Sequence, residues 1–207
     1  MTIKAVIWDV GGVLERTEDS GPRRALAERL GWEMGPLMDL VFGNNDAHRA
    51  QLGQISLADH WQNVRRTLGQ TEDELKRTIE EFFAGDELDT QLVNAIRRMR
   101  EDYTTAILSN YFPILRDKVN HQWKIGDAFD HLVVSAEVGV KKPDPKIFRI
   151  VLDSVECSPG EAVFIDDMAE NIAAARAVGL HAVHFQTRDQ ALNTLNSLLQ
   201  QHGSNSQ

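Results

Sequence analysis

The sequence predicts an α/β protein in which helices sandwich a parallel sheet and a small α-helical domain is inserted after the first strand. Short apolar segments alternate with amphipathic segments of helical spacing along most of the chain. This alternation is typical of right-handed crossovers between parallel strands. Residues 21–86 break the rhythm, because they contain helical patterns and no convincing strand pattern.

Five segments are predicted to be strands. Most are nearly continuous apolar runs, as expected for strands that helices cover on both faces. They comprise residues 3–8, 104–108, 131–136, 162–165 and 181–185.

Helices are predicted between and after these strands, over residues 91–100, 145–152, 172–178 and 191–199. Asp144 and Pro145 are typical of an N-cap followed by the first helical position. Gly179 is expected to end the predicted helix over residues 172–178.

The inserted segment is predicted to contain helices over residues 25–30, 36–42, 57–68 and 72–83. Thr71 and Glu74 have the spacing of a capping box for the last of these. We therefore predict a core of residues 1–16 and 87–207, and an inserted helical domain of residues 17–86. Hinges are expected near residues 16–21 and 84–88, where the chain passes between the two domains.

Composition and charge argue against two classes of partner. A formal net charge of −9 over 207 residues argues against nucleic acid, whose phosphates are bound by lysine and arginine. No apolar run approaches the length of a membrane span, so no membrane partner is expected. The single cysteine, Cys157, and an N-terminus without a signal-peptide layout favour a cytoplasmic enzyme.

Polar clusters follow four apolar runs, namely residues 5–8, 106–108, 133–140 and 162–165. The clusters are Asp9, Ser109 with Asn110, Lys142, and Asp166 with Asp167. Ligands of open parallel sheets bind at the carboxyl ends of the strands, so these groups are expected to converge. Burying a charged group costs free energy unless the group is paired, so charged groups at strand ends indicate a chemical role. Carboxylates together with an ammonium suit a hard divalent cation and an anionic substrate.

These clusters resemble the four ordered motifs of the haloacid dehalogenase superfamily. The matching segments are Asp9-Val10-Gly11-Gly12-Val13-Leu14, Leu108-Ser109-Asn110, Gly139-Val140-Lys141-Lys142-Pro143-Asp144-Pro145, and Phe164-Ile165-Asp166-Asp167 with Asn171. The inserted helices are similar to the cap domain of that family. The resemblance implies a Rossmann-like core and is strongest to the phosphatase branch, including sugar-1-phosphate phosphatases.

The resemblance also implies roles for individual residues. Asp9 would be the nucleophile, and Lys142 would offset the repulsion between that carboxylate and the phosphate. Ser109, Asn110 and Lys142 would bind the phosphate group of the substrate. Asp9, the Gly11 carbonyl and Asp167 would hold Mg²⁺, with Asp166 and Asn171 in support. Lys141 is expected to be an ordinary solvated lysine.

One position departs from the phosphatase pattern. Gly11 stands where relatives usually have a second aspartate that serves as general acid and base, a group worth about 10²–10⁴-fold in rate. Substitutes could come from Glu15, Glu18, Asp19 or His48. The cap could supply specificity through a polar cluster made of Asn44, Asn45, Asp46, His48 and Arg49.

The expected function is that of a Mg²⁺-dependent phosphomonoester hydrolase. It would act on small phosphorylated metabolites, sugar phosphates among them, through an aspartyl-phosphate intermediate. Two alternatives stay open: a non-catalytic or weakly active member that binds a phosphorylated ligand, and a haloacid dehalogenase. The sequence leaves the oligomeric state open between a monomer and a homodimer.

Overall fold

Seven strands form two sheets in the computed structural model of the chain, which describes residues 2–203. In chain order they are β1 (Ala5–Trp8), β2 (Glu15–Thr17), β3 (Asp86–Leu88), β4 (Thr104–Ser109), β5 (His131–Val134), β6 (Ala162–Asp166) and β7 (His181–His184). Five of them form a parallel sheet in the order β5-β4-β1-β6-β7. The other two, β2 and β3, pair in an antiparallel ribbon. The predicted α/β class is confirmed.

The central strand is β1, in which Ile7 is aligned with Ala106 of β4 and with Phe164 of β6. Because alternate side chains point to opposite faces of a sheet, Trp8 packs in one apolar cluster and Ile7 in another. Burial on both faces explains the continuous apolar runs in the sequence. This register places Asp9 at the carboxyl edge of the sheet, between the ends of β4 and β6.

Helices cover both faces. Within residues 2–203 they are α1 (Gly21–Leu30), α2 (Met34–Met38), α3 (Asn45–Gln51), α4 (Leu57–Leu68), α5 (Glu72–Phe83), α6 (Thr90–Met99), α7 (Leu115–Asp117), α8 (Ser135–Val138), α9 (Pro145–Ser154), α10 (Ala169–Val178) and α11 (Arg188–Gly203). Side chains of α6 and α11 pack in the cluster that contains Trp8, and those of α9 and α10 pack in the cluster that contains Ile7. No helix in this part of the chain is both long and apolar enough to span a bilayer.

Helices α1 to α5 form the insertion after β1, as predicted. They surround an apolar cluster of their own, which includes Leu26, Leu37, Val41 and Phe82. Capping boxes begin α4 and α5, the second of them the predicted pair Thr71 and Glu74. We refer to these helices as the cap. The domain boundaries and the hinge motion stay predictions.

Several local predictions differ from the structure. Strands β2 and β3 were not predicted, because each is three residues long and lacks an apolar alternation. The predicted strand 131–136 ends at Val134, where α8 begins. The predicted helix 36–42 is divided into α2 and a π-helical turn, Asp39–Gly43. Helix α3 was not predicted, since its polar sequence has no clear apolar face.

Candidate active site

Asp9 lies directly after the central strand. Its backbone N–H donates to the Ile165 carbonyl of β6 at 2.9 Å, which continues the ladder by one residue. Its carboxylate is buried, and Oδ1 accepts a 2.7 Å hydrogen bond from the Val10 N–H. The sheet therefore fixes the backbone of Asp9, and the following residue orients its carboxylate.

Lys142 is buried with its ammonium between two carboxylates. Nζ lies 2.9 Å from Asp9 Oδ1 and 2.6 Å from Asp166 Oδ2, and it donates to the Leu108 carbonyl at 3.1 Å. Three acceptors thus match the three donors of the ammonium. Without this cation, two neighbouring buried carboxylates would repel each other.

Asn110 holds the backbone of Lys142. Its Nδ2 donates to the Lys142 carbonyl at 2.9 Å, and its Oδ1 accepts from the Lys142 N–H at 2.8 Å. Both ends of the Asn110 amide are therefore used to align the lysine. Ser109, the last residue of β4, is buried next to Asn110 and lines a cavity between the core and the cap.

The two aspartates after β6 have different surroundings. Asp166 is fully buried and accepts hydrogen bonds from Asn171 Nδ2 at 3.0 and 3.1 Å and from the Met168 N–H at 2.8 Å, besides the contact with Lys142. Asp167 is only partly buried and lines the cavity. Adjacent residues of an extended chain point to opposite sides, so one carboxylate supports Lys142 while the other faces the cavity.

Glycine is required at position 12 but not at position 11. Gly12 has a φ of +77°, and a Cβ atom there would lie 2.2 Å from Asp167 Oδ2. A Cβ atom on Gly11 would have no neighbour within 4 Å. The loop after β1 therefore approaches Asp167 through Gly12, whereas Gly11 has open space around the position of a Cβ atom.

Burial and neighbouring charges shift the pKa of each of three groups. Burial raises the pKa of Asp9 to about 7, although the Lys142 ammonium opposes this effect. Burial also raises the pKa of Asp167, and the charge of Asp166 adds to it. For Lys142, burial favours the neutral form, but the two carboxylates outweigh it and raise its pKa. A cation beside Asp9 and Asp167 would favour their ionised forms.

The carboxylates meet the chemical requirements of a magnesium site. One oxygen from each of Asp9, Asp166 and Asp167 lies within 4.8 Å of the others. Asp166 is engaged with Lys142 and Asn171, so Asp9 and Asp167 are the carboxylates left to face a cation. Mg²⁺ is usually bound by oxygen ligands, of which only one or two are protein carboxylates. Asp9 and Asp167 fit this requirement. Gly11 lines the same cavity.

A cavity of about 550 Å³ lies between this cluster and the cap. The lining residues of the core are Asp9, Gly11, Gly12, Glu15, Ser109, Asn110, Tyr111, Phe112, Lys141, Lys142, Asp167, Met168, Glu170 and Asn171. The cap and the ribbon line the cavity with Thr17, Arg23, Met38, Phe42, His48, Gln51, Phe83 and Asp86. A substrate in this cavity would contact both domains.

The sequence pattern of the haloacid dehalogenase-like hydrolases matches residues 3–179 of the chain. The chain belongs to this family. The match covers all four motifs proposed above, and the geometry brings Asp9, Lys142, Asp166 and Asp167 together as the resemblance implied.

Two relatives that match this chain over most of the length of both proteins are phosphatases. One is the sesquiterpene phosphatase astK of Aspergillus oryzae, 25% identical over 88% of this chain and 90% of that protein. The other is the D-ribitol-5-phosphate phosphatase of Bacteroides thetaiotaomicron, 24% identical over 86% of this chain and 89% of that protein. The chain also matches bifunctional epoxide hydrolase 2 of Rattus norvegicus at 24% identity, where it spans only 38% of the relative.

Solved structures of the family share the fold. An enzyme from Bacteroides thetaiotaomicron in complex with magnesium and inorganic phosphate has a TM-score of 0.74 at 23% identity, covering 89% of this chain and 94% of that one. The L-2-haloacid dehalogenase of Xanthobacter autotrophicus has a TM-score of 0.64 at 20% identity, covering 95% of this chain and 83% of that one. The shared architecture is a parallel-sheet core with helices inserted after the first strand.

Two of the four candidate substitutes for the missing aspartate line the cavity, namely Glu15 and His48. Glu18 is instead paired with Arg16, and Asp19 accepts a hydrogen bond from the Gly21 N–H. Both lie outside the residues that line the cavity.

Within the polar cap cluster, His48 alone lines the cavity. Asn44 caps α3 by accepting from the Ala47 N–H, and Asp46 accepts a hydrogen bond from Asn63 Nδ2 at 2.6 Å. The same polar sequence therefore serves mainly to begin and brace a helix.

Several residues that line the cavity were not predicted from the sequence. Lys141, expected to be solvated, is partly buried in the cavity wall, where its Nζ lies 3.4 Å from Gln51 Oε1 of the cap. Tyr111 and Phe112 directly follow the second motif, and that adjacency was the available signal. Arg23 had none, because only the fold brings the first cap helix over the site.

Proposed function

We propose that this protein is a Mg²⁺-dependent phosphomonoester hydrolase of small phosphorylated metabolites, with Asp9 as nucleophile. The observation that carries the proposal is the buried Lys142 ammonium, 2.9 Å from Asp9 and 2.6 Å from Asp166 at the floor of a cavity. This arrangement supplies a fixed carboxylate beside a fixed cation, which suits attack on an anionic phosphate.

In the first step, a carboxylate oxygen of Asp9 forms a bond to phosphorus while the ester bond to the leaving alcohol breaks. The alcohol oxygen leaves with the bonding electron pair and takes a proton from water. In the second step, water attacks the phosphorus of the aspartyl-phosphate. This releases inorganic phosphate and a proton, and it restores the Asp9 carboxylate.

The surrounding residues hold charge and geometry during both steps. The Lys142 ammonium offsets repulsion between Asp9 and the phosphate, and Asp166, Asn110 and Asn171 keep that lysine in place. The Ser109 hydroxyl and the neighbouring backbone amides are proposed to bind phosphate oxygens. Asp9, the Gly11 carbonyl and Asp167 would hold Mg²⁺, which when bound neutralises charge on the phosphate oxygens.

Gly11 shapes the choice of leaving group. No side chain is present there to donate a proton to the departing oxygen. Glu15 is engaged by Tyr111 and Lys118, with contacts of 3.0 and 2.8 Å. Partial desolvation and the Lys141 ammonium lower the pKa of the exposed His48 ring, which disfavours the protonated form that a general acid needs. We therefore expect faster turnover of esters whose oxygen departs readily.

The test is hydrolysis of an aryl phosphate with and without Mg²⁺. Asp9→Asn should abolish the metal-dependent rate, whereas the control Asp73→Asn, at an exposed cap residue, should keep it. A metal-dependent rate that is unchanged in Asp9→Asn would refute the proposal.

Gly11 also favours a second candidate, a weakly active or non-catalytic protein that binds a phosphorylated ligand. Binding without turnover on sugar, nucleotide and aryl phosphates alike would support it. The dehalogenase alternative predicts metal-independent chloride release from a 2-haloacid. The acidic pair Asp166–Asp167 counts against that alternative, because the fourth motif of the dehalogenases in this family does not resemble this pair. A cytoplasmic location stays a prediction.

A further inference from the structure

We infer that the alcohol part of the substrate is apolar, an alkyl, alkenyl or aryl group and not a polyol. This inference rests on the proposed function, since it assigns the group that lies between the phosphate and the cap. The reason is the division of the cavity into a charged floor and an apolar upper wall whose polar neighbours are already engaged.

Side chains from both domains form the apolar wall. The cap contributes Met38, Phe42 and Phe83, and the core contributes Phe112 and Met168. Among the large apolar side chains of residues 2–203, Met168 is one of the few that are exposed, at 49%. Its place directly after Asp167 puts this exposed thioether at the mouth of the cavity. An apolar ligand would remove such surface from water.

The cap part of this wall is built from packed rings. The Phe42 ring lies edge-to-face with Phe82 and Phe83, at centroid distances of 5.6 and 6.0 Å. Phe83 in turn lies edge-to-face with Trp61 at 6.2 Å. Aromatic rings held by such contacts form a surface that needs little rearrangement to bind an apolar group.

Arg23 also lines the cavity, and most of its guanidinium N–H groups have strong protein acceptors. Its Nη1 also lies 3.7 Å from Met38 Sδ of the wall. The guanidinium makes a two-pronged contact with Asp86 at 2.8 Å for each oxygen, and it donates to the Phe82 carbonyl at 2.9 Å and to Thr17 Oγ1 at 3.0 Å. Its carbon lies 4.3 Å from the Phe82 ring centroid. Arg23 therefore braces the cap against the ribbon and has little left to offer a hydroxyl group.

A second polar group in the cavity is closed in the same way. The Tyr111 hydroxyl donates to Glu15 Oε2 at 3.0 Å, and Lys118 Nζ donates to Glu15 Oε1 and to the Tyr111 oxygen at 2.8 Å each. Each of the three groups satisfies the other two. The polar atoms of Glu15 and Tyr111 are thus occupied by protein partners.

Three further titratable groups, away from the cluster around Asp9, belong to the lining. His48 and Glu170 are exposed, and Lys141 reaches across to Gln51. A polyol in the cavity would turn its hydroxyls toward rings and thioethers, which costs free energy because they lose water without gaining partners. An alkyl or aryl group loses nothing there.

The experiment compares two five-carbon phosphates of primary alcohols, pentyl phosphate and ribitol 5-phosphate. Their dissociation constants are measured in the presence of Mg²⁺ with the Asp9→Asn variant, so that turnover does not interfere. If the wild type does not hydrolyse either compound, it is measured as well. Each buried methylene strengthens binding about fourfold, so we expect pentyl phosphate to bind at least about tenfold more tightly. Equal or tighter binding of ribitol 5-phosphate would overturn the inference.

A variant pair tests whether the wall itself makes the distinction. Met38→Gln places an amide of similar size in the wall and should reduce the preference for pentyl phosphate severalfold. Met34→Gln is the matched control, since Met34 lies in the same helix outside the lining, and it should keep the preference. Equal preferences in the two variants would overturn the assignment of the wall.

Hydrolysis of acetyl phosphate by the wild type is measured alongside, because this small acyl phosphate releases acetate and needs neither the wall nor a general acid. If the wild type does not hydrolyse acetyl phosphate but still binds pentyl phosphate more tightly than ribitol 5-phosphate, the proposed hydrolysis is refuted and the apolar site is supported. Turnover of acetyl phosphate without any preference would do the reverse.

Discussion

The hydroxyl of Ser135, in the core, donates a 2.6 Å hydrogen bond to the backbone carbonyl of Gln51, in the cap. The same oxygen accepts from the Tyr111 N–H at 3.1 Å. A neighbouring contact has the same effect, since a Cβ atom on Gly53 would lie 2.2 Å from the Ala136 carbonyl oxygen. The cap is thus joined to the core at a point far in sequence from the two chain connections.

Ser135→Ala should weaken this junction, because it leaves the Gln51 carbonyl and the Tyr111 N–H without their partner. We expect the free energy of unfolding to fall by about 1–3 kcal/mol, measured by urea denaturation. Ser154→Ala removes a 2.7 Å hydrogen bond within α9 and serves as control, with a smaller expected loss. Equal losses in the two variants would show that the junction has no special weight.

Gly12→Ala should impair the site more than Gly11→Ala. The first change introduces a methyl group against Asp167 and a side chain at a φ of +77°, whereas the second adds a methyl group with no neighbour within 4 Å. The measurement is kcat/KM for an aryl phosphate with Mg²⁺, together with the melting temperature. Similar losses at both positions would contradict the close approach of Asp167.

Gly11→Asp should restore assistance to poor leaving groups, because the space at position 11 is open and faces the cavity. We expect the rate on an alkyl phosphate to rise by up to about 10²-fold, with a smaller change on an aryl phosphate. Gly11→Asn has the same shape without the acid and should give no such rise. An equal gain in the two variants would exclude proton donation as the cause.

Asp89 predicts a pH dependence of stability. Burial disfavours its charge, but hydrogen bonds from the Leu92 N–H and from the Arg16 and Arg188 guanidinium groups hold the pKa of this carboxyl below its ordinary value. Its ionised form therefore adds stability above the ordinary pKa of an aspartate, near 4. This stability is lost as the pH falls through the lower folded pKa.

The Asp89→Asn variant should accordingly be about 1–3 kcal/mol less stable than the wild type at pH 7, with a difference that narrows as the medium becomes acidic. The comparison uses denaturant unfolding at several pH values. Asp127→Asn, which breaks an exposed pair with Arg97, is the control, and its effect should stay below about 1 kcal/mol. A constant difference across the pH range would contradict the role of the Asp89 charge.

The sequence by itself was sufficient for the α/β class, the helical insertion and the convergence of the three polar clusters that directly follow strands. Lys142 instead lies in the loop after α8. For the three clusters the physical reason is local. Buried parallel strands must be apolar along their whole length, so a polar residue directly after one lies at the carboxyl edge of the sheet. Position along the chain therefore determined that Asp9, Ser109 and Asp167 would share one end of the molecule.

Only the tertiary structure decided what surrounds that chemistry. Arg23, Met38 and Phe42 belong to cap helices whose apolar faces look alike in the sequence, whether they face the cap interior or the cavity. Whether a charged residue such as Arg23 is available to a ligand depends on partners as distant in sequence as Asp86. The catalytic floor follows from strand ends, whereas the specificity of the cavity follows from packing between segments that the sequence does not align.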